Sequence, residues 1–173
     1  MATTIKEYWD SCLFISYLED KYEDRDKVNV IETLLRRAGK PNSNLLIVVS
    51  TIVLAEIQYR DQYNQDHYQE IRQLFYTARH FIKVQVLTPR IADETSKLRN
   101  QYGSPLALTD AIHLVTATLE GCNIVYTFDG DAFRKRPCDL LSFNGKQIIS
   151  GYPALNVSVP ILPPNSQLPL TSD

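Results

Sequence analysis

Carboxylates stand where the strand-like segments of this chain end. Asp10 closes the first such segment, Glu56 lies in the helix that follows the apolar run Leu45–Val49, and Asp129 follows the β-branched run Asn123–Thr127. Asp110 adds a further acid in the first turn of a helix, where the helix dipole favours negative charge. Acids gathered at one end of a sheet repel one another unless a cation lies among them. Oxygen donors with no cysteine pair or histidine pair nearby select Mg²⁺ or Mn²⁺ over zinc. Ions held this way polarise a phosphodiester oxygen, activate water and stabilise a leaving oxygen, so the chemistry indicated is on phosphate. Capping alone also explains aspartates at helix starts. Glu56 is least explained so, because Ile52, Leu54, Ala55 and Ile57 surround it in sequence and a carboxylate in apolar surroundings is costly without a partner.

The elements that must carry these acids alternate. A short strand at Lys6–Asp10 leads into a helix over Ser11–Leu18, and Val28, Ile31, Leu34, Leu35 and Ala38 recur at helical spacing before Gly39 and Pro41 stop them. Leu45–Val49 lacks polar alternation, as a strand covered on both faces does, and Ser50 is positioned to cap a helix running through Glu56 to Arg60. A helix is expected over His67–Phe81, with Ile82 on its apolar stripe, then a strand over Lys83–Leu87 and a helix from Pro89 to Tyr102 capped by Thr88. Thr109 is positioned to cap a helix over Asp110–Glu120 that Gly121 ends, and strands are expected at Asn123–Thr127 and Gln147–Ile149. The alternation predicts a three-layer α/β/α sandwich with a central, mainly parallel sheet, whose site lies beyond the carboxyl ends of the strands.

The 173 residues suit one domain, expected over 1–151, and 44% hydrophobic with 22% charged residues excludes a disordered or fibrous chain. From Tyr152 onward the proline-rich segment alternates Leu155, Val157, Val159 and Ile161, so 152–173 reads as an extended arm on the surface or on a partner. No apolar run is long enough to span a bilayer, and Lys6, Glu7 and Asp10 interrupt the N-terminus early; no membrane association and a cytoplasmic location are expected. Cys12, Cys122 and Cys138 are widely spaced and read as free thiols. A net charge of −2 argues against coating nucleic acid by bulk electrostatics, so contacts with it must be local.

Trp9-Asp10-Ser11-Cys12, Ser50-Thr51-Ile52-Val53-Leu54-Ala55-Glu56-Ile57, Leu108-Thr109-Asp110-Ala111-Ile112-His113 and Thr127-Phe128-Asp129-Gly130-Asp131-Ala132-Phe133 occur in the order and spacing of the PIN-domain family, which the chain resembles from Glu7 to Ile149. The resemblance implies a Mg²⁺- or Mn²⁺-dependent ribonuclease with Asp10, Glu56, Asp110 and Asp129 as its catalytic, metal-holding acids. Many small members are toxins of type II toxin–antitoxin pairs, so the family also implies an RNA substrate, a homodimer and an antitoxin partner. The aromatic of the last motif, Phe133, stands one residue later than the family's usual spacing, which makes Asp131 an alternative or additional ligand beside Asp129. The first strand carries Glu7 and Trp9 where the family is mostly aliphatic, and the arm lengthens the chain relative to compact toxins.

Around the acids, Ser11, Ser50 and Thr127 are placed to hold carboxylates or water by hydrogen bonds, with capping an equal explanation for Ser50. His113, one turn after Asp110, approaches the cluster as a packed, supporting or catalytic histidine. Arg134, Lys135 and Arg136 form the densest basic run and suit an RNA backbone, or a solvated loop. Tyr59, Tyr63, Tyr68 and Tyr76 receive no role. A haloacid-dehalogenase-type phosphatase is rejected, because Asp129-Gly130-Asp131 does not lie at the first strand. The non-enzymatic alternative is a PIN-like RNA-binding or protein-interaction scaffold whose acids are silent.

Overall fold

The computed structural model describes residues 3–19, 21, 25–57, 63–77, 80–130 and 138–161. Five strands, β1 (Ile5–Trp9), β2 (Leu45–Ser50), β3 (Ile82–Gln85), β4 (Ile124–Tyr126) and β5 (Val157–Ser158), form one sheet in the order β3-β2-β1-β4-β5. Every pairing is parallel. Among the described residues the α-helices are α1 (Ser11–Glu19), α2 (Arg25–Ala38), α3 (Thr51–Glu56), α4 (Gln65–Thr77), α5 (Pro89–Tyr102) and α6 (Leu108–Leu119). No helix among the described residues is long and apolar enough to cross a membrane.

Alternation along the strands divides the core in two. Trp9, Ile47 and Val49 face a cluster with Phe14, Ile31 and Ile71 from α1, α2 and α4. Tyr8, Val48 and Val125 face the other way, toward Leu98 of α5 and Leu114 of α6. Side chains that alternate between two buried faces require helices on both, which is the expected sandwich. β1 sits at the centre, paired with β2 on one side and β4 on the other, so its carboxyl end opens where the chain order of the sheet reverses.

Several boundaries move. Helix α4 is described over Gln65–Thr77, Phe81 lies in a turn rather than in the helix, and Ile82 opens β3 opposite Ile47, so sheet pairing accounts for its burial. Helix α3 ends at Glu56, closed by the Ile57 N–H on the Val53 carbonyl, and the expected continuation to Arg60 lies outside the described residues. Thr109 does not cap α6: Ala107 occupies the cap with no side-chain bond.

The last strand is not Gln147–Ile149, which is irregular at Gln147 and bends at Ile148 and Ile149, the two isoleucines being buried without sheet pairing. It is Val157–Ser158, within the segment expected to be an arm. The Val125 N–H donates to the Asn156 carbonyl at 2.8 Å and the Val157 N–H to Asn144 Oδ1 at 3.0 Å. Leu155 and Val157 are buried in the α5/α6 cluster, so the start of the arm packs on this chain's own sheet edge instead of on the surface or a partner.

Candidate metal centre

Asp10 lies between the end of β1 and the start of α1, its N–H donating to the Tyr126 carbonyl at 3.1 Å. Its side chain is nearly enclosed and surrounded by donors. The Ser11 N–H (2.7 Å) and hydroxyl (3.3 Å) donate to Oδ1, while the Cys12 thiol (2.9 Å) and the Thr127 hydroxyl (2.8 Å) donate to Oδ2. Helix α1 thus brings Ser11 and Cys12, and the segment after β4 brings Thr127. A carboxylate with this many donors can stay charged out of water, which an unpaired one cannot.

Glu56, the last residue of α3, comes to the same place from the other side of β1. His113 of α6 joins the two acids, with Nε2 3.2 Å from Asp10 Oδ1 and 3.0 Å from Glu56 Oε2. Behind the imidazole, Nδ1 lies 2.8 Å from the Tyr8 hydroxyl, whose oxygen also accepts the Ser50 N–H at 3.2 Å. One ligand atom from each of Asp10, Glu56 and His113 falls within 4.8 Å of the others, so these three side chains can hold a metal ion.

Burial would hold the His113 imidazole below its ordinary range, but the negative charge of Asp10, the hydrogen bond and charge of Glu56 and the charge of Asp110 together push it above. Burial pushes Glu56 upward, yet the hydrogen bond and charge of His113 and the Ser11 and Thr109 hydroxyls outweigh it and keep the acid lower than usual. Burial, with the Asp10 charge second, raises both the Tyr8 phenol and the Cys12 thiol well above their usual ranges, so each keeps its proton. The centre is therefore anionic oxygen held by neutral donors and one titratable imidazole.

The other expected residues divide. Asp110 is buried one turn before His113, close enough for its charge to act on the imidazole. Asp129 is not one of the three side chains whose ligand atoms cluster; its N–H donates to Thr127 Oγ1 at 2.9 Å and its carboxylate accepts the Leu140 N–H at 3.2 Å, at the start of the 3₁₀ turn Leu140–Phe143. Gly130 follows at φ +97, and a Cβ there would lie 2.5 Å from the Asp139 side chain, so the turn beyond Asp129 requires glycine. Ser11 and Thr127 hold Asp10 as expected. Ser50 does not touch an acid; its Oγ accepts the Ile52 N–H, capping α3. Asp131, Arg134, Lys135 and Arg136 lie outside the described residues.

Glu56 is less enclosed than its apolar neighbours suggested, since Ala55 is exposed and only Val53 of α3 is fully buried. Three contributors escaped sequence reasoning. Cys12 reads as a plain free thiol although it is the last residue of the first motif. Thr109 read as a helix cap. Tyr8 could have been found from its position two residues before Asp10, which in an extended chain puts both on one face.

The family model for the PIN domain matches residues 8–137. Among solved structures, Mycobacterium tuberculosis VapC20, a toxin that cleaves the sarcin–ricin loop, superposes with a TM-score of 0.50 at 14% identity, over 72% of this chain and 91% of that one. A toxin–antitoxin complex from Klebsiella pneumoniae gives 0.48 at 22% identity, over 76% of this chain and 92% of that one. Among curated proteins none matches significantly. The family match covers most of the chain, including β2, β3 and β4 and the residues Asp10, Glu56 and His113 that come together, and makes the chain a member of the PIN-domain family.

Proposed function

We propose that this protein is a divalent-metal-dependent endoribonuclease of the cytosol that hydrolyses RNA phosphodiester bonds. The observation that carries the reading is the convergence of Asp10, Glu56 and His113 within 4.8 Å beyond the carboxyl end of β1, in a PIN domain. Carboxylate oxygens suit Mg²⁺ or Mn²⁺, and when bound such an ion supplies Lewis acidity toward phosphodiester and water oxygens. Asp10 and Glu56 hold it. Ser11, Cys12 and Thr127 fix the Asp10 oxygens, and Asp110, with Asp129 or Asp131, adds negative charge around the centre. Arg134, Lys135 and Arg136, following the last motif in sequence, bind the RNA backbone.

Within this reading the protein is the toxin of a toxin–antitoxin pair, acting as a homodimer restrained by an antitoxin. Its support is the family together with the fold shared with VapC20. One observation favours the scaffold reading instead: His113 already gives Asp10 and Glu56 a shared donor, so the acids persist without an ion. Cleavage of a mixed RNA pool with Mn²⁺ separates the two. The nuclease reading expects cutting by wild type and its loss in folded Asp10→Asn and Asp110→Asn; no cutting by Mn²⁺-loaded wild type overturns it in favour of the scaffold.

A further inference from the structure

We infer that His113 is itself a nitrogen ligand of the divalent ion, made available by Tyr8, so that the centre is a mixed nitrogen–oxygen site that prefers Mn²⁺ to Mg²⁺. The inference rests on the metal-dependent reading above and goes beyond it, because the acid motifs alone describe an all-oxygen site indifferent between the two ions.

The geometry of three groups leads to it. His113 Nε2 lies 3.2 Å from Asp10 Oδ1 and 3.0 Å from Glu56 Oε2. Neighbouring ligands on an octahedral ion with bonds of about 2.1 Å are about 3 Å apart, so these spacings suit shared coordination as well as a hydrogen bond. The set whose ligand atoms all lie within 4.8 Å of one another joins Asp10 and Glu56 to the histidine and does not include Asp110 or Asp129.

An imidazole nitrogen can ligate only when its proton is elsewhere, and ligating histidines commonly donate from the other nitrogen to a fixed acceptor. Tyr8 meets that need. Its hydroxyl, fully buried on the α6 face of β1, takes the Ser50 N–H on one lone pair and lies 2.8 Å from His113 Nδ1. A second lone pair accepts Nδ1–H and leaves the Nε2 lone pair toward Asp10 and Glu56. When Nε2 carries the proton instead, the same hydroxyl rotates to donate to Nδ1. Tyr8 is thus a positioning residue whose hydroxyl engages Nδ1 in either tautomer, accepting from it or donating to it. Imidazole is a good ligand for first-row transition ions and a poor one for Mg²⁺, which keeps oxygen and water around itself.

Pulsed electron paramagnetic resonance of Mn²⁺ bound to the full-length protein tests this without reference to activity. Expected is nitrogen coupling from one imidazole in wild type, absent in His113→Gln, with Mn²⁺ affinity about tenfold weaker in that variant and Mg²⁺ affinity changed less. Tyr8→Phe keeps all three ligands and is expected to lower the Mn²⁺-over-Mg²⁺ preference; with the wild-type spectrum it decides the matter if His113→Gln does not fold. Mn²⁺ bound by wild type without nitrogen coupling, or coupling that survives His113→Gln, overturns the inference and leaves the ribonuclease reading standing. Folded wild type that binds no Mn²⁺ overturns both.

Discussion

Glu7 and Asp10 lie three residues apart on the same central strand and its exit, both nearly fully buried, yet they are held by opposite means. Glu7 is paired with the guanidinium of Arg37 from α2, and the Trp9 indole N–H faces its other oxygen at 3.5 Å. Asp10 has no permanent cation among the partners described above; it is held by a thiol, two hydroxyls, a backbone N–H and an imidazole. A carboxylate neutralised by arginine is committed to the fold. One held without a permanent cation leaves its oxygens to an exchangeable partner, and in the proposed reading this difference separates a structural acid from a working one on the same β1 segment.

The sharpest break in that comparison is Asp10→Asn, which should lower Mn²⁺ affinity and RNA cleavage by at least about a hundredfold, measured by calorimetry and single-turnover cutting, while Glu7→Gln leaves both unchanged. Arg37→Ala should do the reverse: cleavage is kept, but denaturant unfolding shows a loss of about 2 kcal/mol, because Glu7 stays buried without its cation. That figure is below the usual loss for a broken buried pair because the Arg37 side chain is 43% exposed. Cys12→Ala, which removes one donor from Asp10 Oδ2, should weaken Mn²⁺ binding about tenfold, with Cys12→Ser restoring most of it.

The smallest effect is on the pH dependence of stability, and two groups contribute to it. Burial raises the Glu7 carboxyl above its ordinary 4.5, so its favourable contribution is complete below that pH and is lost as pH rises through the folded value. His113 is raised above 6.5 despite its burial, so its contribution is complete below 6.5 and is lost at higher pH. Melting temperature of the metal-free protein should therefore fall as pH rises above 4.5. Glu7→Gln should remove the part of the fall that begins near 4.5 and His113→Gln the part that begins near 6.5.

Much of this was legible from pattern. Asp10 and Glu56 could be read because strands ending in acids put them at one rim of a parallel sheet, and the helices from Arg25 and Pro89 could be read because their apolar spacing and caps agree. What escaped depended on tertiary contact. Val157–Ser158 forms a strand because β4 and Asn144 offer partners, which two residues between prolines do not announce. Thr109 was assigned to its own helix, while its hydroxyl serves Glu56 across the centre. The Leu140 N–H that donates to the Asp129 carboxylate comes from a residue distant in sequence, so pattern could not foretell it.

Tyr8 and Trp9 point into different halves of the core, and Asp10 comes next, tied to α1, to the end of β4 and, through His113, to α6. The same residue that gathers the centre therefore pins together the layers on either side of the sheet. Slowly exchanging amides in α1 and in α6 should open at one common rate, as a single cooperative unit. An ion seated at Asp10 would then slow the opening of the whole molecule rather than quiet one loop.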